Sequence, residues 1–156
     1  MSKSHTRVMD ALSHAGLSCI ALEMAAPTRT AQQAADAAGC DCDQIAKSII
    51  FAGAQSNALF LFITAGGNHV DPDKASALAG EVLLRADANA VRKITGFAIG
   101  GVSPVGHLHP IKAFFDQRLL DFGLVYAAAG TPRHIFGIDP HDLQRVSMAQ
   151  PADFIS

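Results

Sequence analysis

The sequence lacks an excess of basic residues. Its 156 residues include 12 Lys and Arg against 14 Asp and Glu, which gives a formal net charge of −2 at pH 7. Proteins that grip DNA or RNA along its length carry many basic side chains to neutralise the phosphates. The composition therefore excludes a broad nucleic-acid clamp and predicts no DNA partner, while it leaves room for a small local contact with RNA.

Long apolar runs and pairable cysteines are also missing. The longest apolar run covers 58–65, far short of the ~18 residues that a membrane-spanning helix needs. The polar start of the chain does not have the pattern of a signal peptide, and three cysteines cannot all pair with one another. We therefore expect a cytoplasmic protein without a membrane partner.

The sequence is nevertheless rich enough in apolar residues to bury a full core. It is 49% hydrophobic and 17% charged, and we find neither an internal repeat nor a linker, so 1–156 is expected to form a single domain. Helical and strand patterns interleave irregularly, and the later strands follow one another without long crossover helices. This order predicts a mixed α/β (α+β) fold, with about six or seven strands in one mixed sheet flanked by helices.

Capping residues and apolar periodicity predict the individual elements. Thr30, Asp71, Asp87 and Asp139 are expected to cap helices, and proline follows two of these aspartates at the first helical position. The predicted helices cover 4–15, 31–38, 72–79, 88–93 and 141–146. The predicted strands cover 17–22, 45–51, 58–64, 97–99, 111–115, 124–128 and 133–138.

Lys47 is the most unusual residue of the predicted strands. Side chains alternate along a strand, so Lys47 shares one face with Ile45, Ile49 and Phe51. A lysine on an apolar face is rarely buried without a partner. Its stem can pack while the ammonium group reaches water, or the side chain can point into a functional pocket; the pattern alone leaves both open.

A glycine-rich segment follows the predicted strand 97–99. Gly100 and Gly101 allow a ligand to approach the backbone closely, and Pro104 stiffens the loop. Such a loop can present N–H groups to a nucleotide or an oxyanion, or it can be a plain tight turn between strands. It is not a P-loop, and Ser103 does not fit a nucleophile elbow, because proline follows it directly.

Three histidines and one cysteine pair are weaker candidates. His107 and His109 would face the same way on a strand, as two metal ligands do, but no third ligand is marked by spacing. His134 lies in a predicted strand and fits either a structural role or a pocket. Cys40 and Cys42 form a single pair without a second one, which does not favour a zinc site.

Four segments together carry a family resemblance that covers nearly the whole chain. They are Arg29-Thr30-Ala31 with Ala34-Ala35, Gln44 to Phe51, Thr95 to His107, and Ala127 to Pro132. In this order and spacing they resemble the YbaK-type family of aminoacyl-tRNA editing domains, relatives of the insertion domain of prolyl-tRNA synthetase. The resemblance implies a strongly twisted, barrel-like mixed sheet.

The resemblance also implies an activity, trans-editing deacylation. Such proteins hydrolyse the ester that joins a wrong amino acid to the 3′-terminal adenosine of a tRNA, typically tRNA(Pro), without a metal or an organic cofactor. Prolyl-tRNA synthetase is the protein partner implied. The family's pocket lysine falls on Lys47, and its Gly-x-x-x-Pro loop falls on Gly100 to Pro104, where it is expected to hold the terminal adenosine.

The same resemblance suggests which residues bind the substrate. In the cysteine-specific deacylases threonine follows the lysine, whereas Ser48 stands here, so cysteine and another small amino acid are both open as the residue removed. His134 lies near the region of the histidine used by alanine-specific relatives. The full substrate-binding set that we expect is Thr30, Ser48, Gly100, Val102, Ser103, Pro104, His107 and His134.

An aminoacyl ester is already labile, so a site can cleave it by positioning and charge stabilisation. We expect the Lys47 ammonium group to orient the ester or a phosphate, and the N–H groups of Gly100 to Val102, with Gly101 as the catalytic member, to stabilise the oxyanion. The nucleophile would be water, a ribose hydroxyl or the substrate's own side chain. The alternatives are a non-catalytic module that binds the tRNA 3′ end or a synthetase, and a metal-dependent hydrolase that uses His107 and His109.

Overall fold

Every α-helix begins after a polar capping residue. The computed structural model describes residues 2–156, and in that range Ser2, Thr30, Asp71, Asp87 and Asp139 each accept a hydrogen bond from the first turn of a helix. This confirms the four caps predicted from the sequence. The helices are α1 (Lys3–His14), α2 (Ala31–Ala38), α3 (Pro72–Ala79), α4 (Ala88–Thr95) and α5 (Pro140–Ser147). No helix in this range is long and apolar enough to cross a membrane.

Eight strands of the described chain form one mixed sheet. They are β1 (Ala21–Glu23), β2 (Ile45–Gly53), β3 (Leu59–Ala65), β4 (Leu83–Arg85), β5 (Lys112–Asp116), β6 (Val125–Thr131), β7 (His134–Ile138) and β8 (Gln150–Ala152). The strand order is β1-β7-β6-β2-β3-β5-β8, and β4 pairs separately with β2. The predicted mixed α+β class is confirmed, although the sheet has eight strands rather than six or seven and is not closed into a barrel.

Strand β3 lies at the centre because both of its faces are apolar. All seven of its residues are buried, as predicted, and the strand pairs antiparallel with β2 and parallel with β5. Its side chains supply two cores on opposite faces of the sheet. Leu61 and Ile63 pack in the core that includes α1 and α5, while Phe60 and Phe62 pack in the core that includes α3.

Two predicted strands need correction, and two further strands were not predicted. The segment 97–99 is a loop rather than a strand: Phe97 is fully buried and packs edge-to-face against the His107 ring, so it anchors the loop without joining the sheet. The strand predicted at 17–22 begins only at Ala21. The three-residue strands β4 and β8 were missed, because each is too short to show a period.

Candidate active site

A cavity of about 450 Å³ opens beside strand β2. This volume lies in the range of roughly 300–1,000 Å³ that is usual for small-molecule sites. Six consecutive residues of β2, from Ile45 to Ile50, line it. Side chains alternate between the two faces of a strand, so a cavity on one face would meet only every second residue. The cavity therefore borders the edge of β2.

The pairing of β2 explains why its edge is open there. One edge of β2 pairs with β3 from Ala46 to Ala52 without interruption. The other edge pairs with β6 only at Ile45 and Ala46, and with β4 only from Phe51 to Gly53. Positions 47–50 therefore have no neighbouring strand on that side, and the cavity occupies the gap.

Strand β6 leaves β2 because its backbone is diverted. The register between β6 and β7 shifts between Ala128 and Thr131, and Gly130 takes the left-handed φ of +94°. Helix α1 then binds the diverted segment: the Ser4 hydroxyl donates to the Gly130 carbonyl at 2.8 Å, and His5 Nδ1 donates to the Ala129 carbonyl at 2.7 Å. The gap in the sheet is thus built by a bulge and held by a helix.

Lys47 lines this cavity and is half-buried. Its Nζ donates to the Asn68 carbonyl at 2.6 Å, which leaves two further donors on the ammonium group. Burial lowers the pKa of Lys47, while the nearby Cys42, Asp116 and Asp43 oppose that shift. The lysine is therefore held beside the cavity by its surroundings.

The carboxylate of Asp116 supports the loop that holds Lys47. Asp116 is 4% exposed, and its Oδ2 accepts hydrogen bonds from the Ala65 N–H at 3.0 Å and from Asn68 Nδ2 at 2.9 Å. Its Oδ1 accepts from the Arg118 N–H at 3.0 Å. The side chain of Asn68 is thus anchored to Asp116 while its carbonyl receives the lysine, so Asp116 positions Lys47 through Asn68.

The cavity wall is cationic although the chain has a net negative charge. Arg29, Lys47 and Arg85 line it, and no Asp or Glu does among the described residues. None of the three takes part in an ion pair within residues 2–156. The same wall contains no histidine and no cysteine. The site therefore suits an anionic ligand and offers no side chain that is an ordinary general base or thiol nucleophile at neutral pH.

Half of the residues predicted for the site meet at this cavity. They are Thr30, Lys47, Ser48, Gly100 and Val102. The Ser48 hydroxyl oxygen is buried and has no hydrogen-bond partner within residues 2–156. An unpaired buried hydroxyl is uncommon in proteins and often marks a place where a ligand or water completes the bonding.

The remaining loop residues lie behind the wall. The Gly101 N–H donates to the Ala98 carbonyl at 3.0 Å, and a Cβ added at Gly101 would lie 3.0 Å from the Thr131 Cα. Ser103 is fully buried, and its hydroxyl accepts from the Val105 N–H at 3.2 Å. The structure thus places Gly101 and Ser103 in the framework of the loop, and the N–H of Gly101 is already used by a turn.

Pro104 and His107 line a second cavity, of about 540 Å³, on the other side of the loop. His107 Nε2 donates to the Ser103 carbonyl at 2.6 Å. Burial lowers the pKa of His107, the hydrogen bond to Ser103 opposes this shift, and the Arg7 charge adds to it. His109 is exposed, and no three potential metal ligands converge anywhere within residues 2–156.

His134 does not line the cavity, but it is close to the bulge that shapes it. Its Nδ1 is 2.6 Å from the Thr131 hydroxyl, and its ring stacks on the buried His5 ring at a centroid distance of 4.3 Å. The carboxylate of Glu23 lies 4.0 Å from its Nε2. These contacts give His134 a firm place between β7 and α1, and its predicted role in substrate binding stays a prediction.

The sequence reasoning missed several wall residues. Arg29 belongs to one of the segments that carried the resemblance, so its basic side chain was a usable signal. Ala128 also lies in one of those segments, whereas Arg85 and Val91 come from distant elements and nothing in their local sequence marks them. Only the three-dimensional pairing of β4 and β6 around β2 brings them to the same place.

The part of the chain that resembles known proteins includes every residue that lines the cavity. The sequence model described as the aminoacyl-tRNA editing domain matches residues 25–146. The uncharacterized protein YwhH of Bacillus subtilis (strain 168) is 30% identical over 128 residues, which are 82% of this chain and 81% of that protein. Among solved structures, a candidate trans-editing enzyme for prolyl-tRNA synthetase has a TM-score of 0.92 and 43% identity, over 100% of this chain and 99% of that one. The hypothetical protein APE2540 has a TM-score of 0.87 and 28% identity, over 96% and 99% of the two chains.

Proposed function

The chain belongs to the family of aminoacyl-tRNA editing domains, and on that premise we propose that it is a trans-editing deacylase. It hydrolyses the ester between a mischarged small amino acid and the 3′-terminal adenosine of a tRNA. We further propose that this tRNA is tRNA(Pro), that the protein acts in the cytoplasm, and that prolyl-tRNA synthetase is its functional partner. The similar structure of a candidate trans-editing enzyme for prolyl-tRNA synthetase supports the choice of tRNA.

The cationic cavity at the β2 edge is the observation that carries the proposal. Its volume of about 450 Å³ suits one aminoacylated nucleoside rather than a folded RNA surface. Arg29 and Arg85 are exposed parts of its wall, where the phosphates that precede the terminal adenosine would pass. A protein with net charge −2 can thus bind the end of a tRNA through a local basic surface.

The composition of the wall also defines the chemistry. Hydrolysis adds water to the ester carbonyl and breaks the bond to the ribose 3′-oxygen, which leaves with a proton. The described wall contains no carboxylate, histidine or cysteine, so it supplies neither a general base nor a thiol nucleophile. The nucleophile is therefore water, the ribose hydroxyl or the substrate's own side chain. Lys47 then orients the ester or stabilises its developing negative charge.

The test is a deacylation assay on tRNA(Pro) charged with proline, alanine, cysteine or serine. The wild-type protein should hydrolyse one mischarged species rapidly and spare the proline ester. Lys47→Met should lower kcat/KM by about 100- to 1,000-fold, as for the loss of one stabilising donor. Lys93→Met, which changes an exposed lysine of α4, is the matched control and should keep the wild-type rate.

One outcome would reject the role of Lys47, and another would reject the proposed deacylase. Wild-type rates in a folded Lys47→Met protein would remove the lysine from the reaction. Binding of the charged tRNA without turnover of any ester would favour the non-catalytic module that recognises the tRNA 3′ end. Circular dichroism and thermal unfolding of both variants separate a catalytic effect from a folding defect.

A further inference from the structure

The backbone at the open edge of β2 has a defined orientation. The Gly53 N–H donates to the Ala58 carbonyl at 2.8 Å on the β3 side, and the Ala54 N–H donates to the Val82 carbonyl at 2.8 Å on the β4 side. Successive residues of a strand direct their N–H and C=O groups to opposite edges. Even-numbered residues of β2 therefore face the edge that β4 and β6 only partly cover.

Two even-numbered residues fall inside the gap, Ser48 and Ile50. Neither β4 nor β6 pairs with positions 47–50, and no side chain of residues 2–156 forms a hydrogen bond to the main chain of Ser48 or Ile50. The gap spans four residues, or about 13 Å at the usual rise of a strand. Main-chain groups of a half-buried central strand are normally paired, so an open stretch beside a cavity calls for a ligand or water.

We propose that this open edge is the subsite for the aminoacyl group of the substrate. The Ser48 carbonyl accepts a hydrogen bond from the α-amino group, and the N–H of Ser48 or of Ile50 donates to the ester carbonyl. An α-aminoacyl ester carries its amine and its carbonyl on adjacent carbons, as one residue of a strand does, so it is the smallest unit that completes the ladder. This inference rests on the proposed deacylase function.

The proposal assigns a source for carbonyl polarisation that the glycine loop lacks. The N–H of Gly101 is occupied by the turn to Ala98, whereas the N–H groups at the β2 edge face the cavity. Hydrogen bonds from the β2 main chain bind the amine and the carbonyl of the aminoacyl group, and they do not depend on its side chain. Selection among amino acids is then left to the cavity wall, where Ala31, Ala34 and Ala128 are small.

Amide hydrogen exchange on the ¹⁵N-labelled protein tests the edge directly. In the free protein the amides of Ser48 and Ile50 should exchange at least 100-fold faster than those of Lys47 and Ile49, which face β3. The probe is 3′-alanylamino-3′-deoxyadenosine, whose amide resists hydrolysis, and 3′-amino-3′-deoxyadenosine without the alanyl group is its control. The alanyl probe should slow exchange at Ser48 or Ile50 at least tenfold, and the control should not.

The possible results distinguish a failure of the edge subsite from a failure of the proposed deacylase function. Binding of both probes without protection at either amide overturns the edge subsite and leaves the proposed function standing. Failure of both probes to bind contradicts the proposed function itself. Equal protection by both probes overturns the edge subsite, because the alanyl group would then make no contribution.

Proline variants provide an independent measurement. Ser48→Pro and Ile50→Pro each remove an N–H that pairs with no strand, a place where proline is tolerated at a sheet edge. Relative to Ser48→Ala and Ile50→Ala, at least one of them should lower kcat/KM for the best mischarged tRNA by about 10- to 100-fold, the loss of one or two hydrogen bonds to substrate. Equal rates in all four folded variants would overturn the proposal; a variant that does not fold leaves the decision to the exchange experiment.

Discussion

Asp116→Asn is the change that best tests how the site is supported. Asp116 is 4% exposed and accepts three hydrogen bonds, two at Oδ2 and one at Oδ1. An asparagine can keep the two bonds from Ala65 and Asn68 only if its NH₂ group faces the N–H of Arg118. The Arg118 N–H, which is partly buried, then loses its acceptor, and this costs about 1–3 kcal/mol.

We therefore expect the free energy of unfolding of Asp116→Asn to fall by about 1–3 kcal/mol, measured by urea denaturation with linear extrapolation. Asp121→Asn is the control, because it also removes one negative charge but affects only an exposed ion pair with Arg118, which contributes about 0–1 kcal/mol. If the two variants agree within about 0.5 kcal/mol, the buried network does not carry the stability assigned to it.

The same variant has a functional readout. Asn68 holds Lys47 through its carbonyl and is itself held by Asp116, so a weaker anchor should displace the ammonium group. Deacylation by folded Asp116→Asn should fall about tenfold or more, since small displacements of a positioning group are costly. An unchanged kcat/KM at full folding would show that Lys47 does not depend on this support.

Three further predictions concern the bulge, His107 and the cavity mouth. Gly130→Ala should lower the free energy of unfolding by about 2–5 kcal/mol, because its Cβ would lie 2.6 Å from the main chain of α1. The control Gly39→Ala has open space around it and should lower the free energy of unfolding by only about 1–2 kcal/mol, because of its left-handed φ. Equal values for the two variants in urea denaturation would contradict this prediction. Burial lowers the pKa of His107 below its usual 6.5, so the unfolded chain binds the extra proton and stability should decline as pH falls below about 6.5. His107→Gln should reduce that slope in denaturation series from pH 7 to 5. Arg29→Gln and Arg85→Gln should each weaken tRNA binding and make log K against log[salt] shallower by about 0.7, and an unchanged slope would exclude a phosphate contact.

Local sequence signals predicted much of the fold. Caps such as Asp71 and Asp139 act within one turn of their helix, so their effect is readable from neighbouring residues. The strand predicted at 45–51 is part of β2, and Lys47 on it is half-buried and lines the cavity. The strand predicted at 97–99 was wrong, because a fully buried aromatic residue such as Phe97 looks the same in sequence whether it anchors a loop or joins a strand.

The open edge of β2 could not have been predicted in this way. It depends on where β6 and β4 stop pairing, and these strands come from segments far away along the chain. Arg85 reaches the cavity for the same reason. Lys47 and the glycine loop were visible as residue types, but the occupied N–H of Gly101 became apparent only from the turn it closes.

The strand order also has a consequence for folding during synthesis on the ribosome. Only the β2–β3 hairpin and the β6–β7 hairpin join strands that are neighbours in sequence. Strand β1 pairs with β7, and β5 pairs with β8, so these pairs form only after the later strand has been synthesised. Pairing between distant segments is slow, since loop closure must precede any gain from contact. During synthesis the apolar β2–β3 hairpin therefore lacks β5 until residue 116 has emerged and β6 until residue 131 has emerged, and that hairpin is where a chaperone would be needed most.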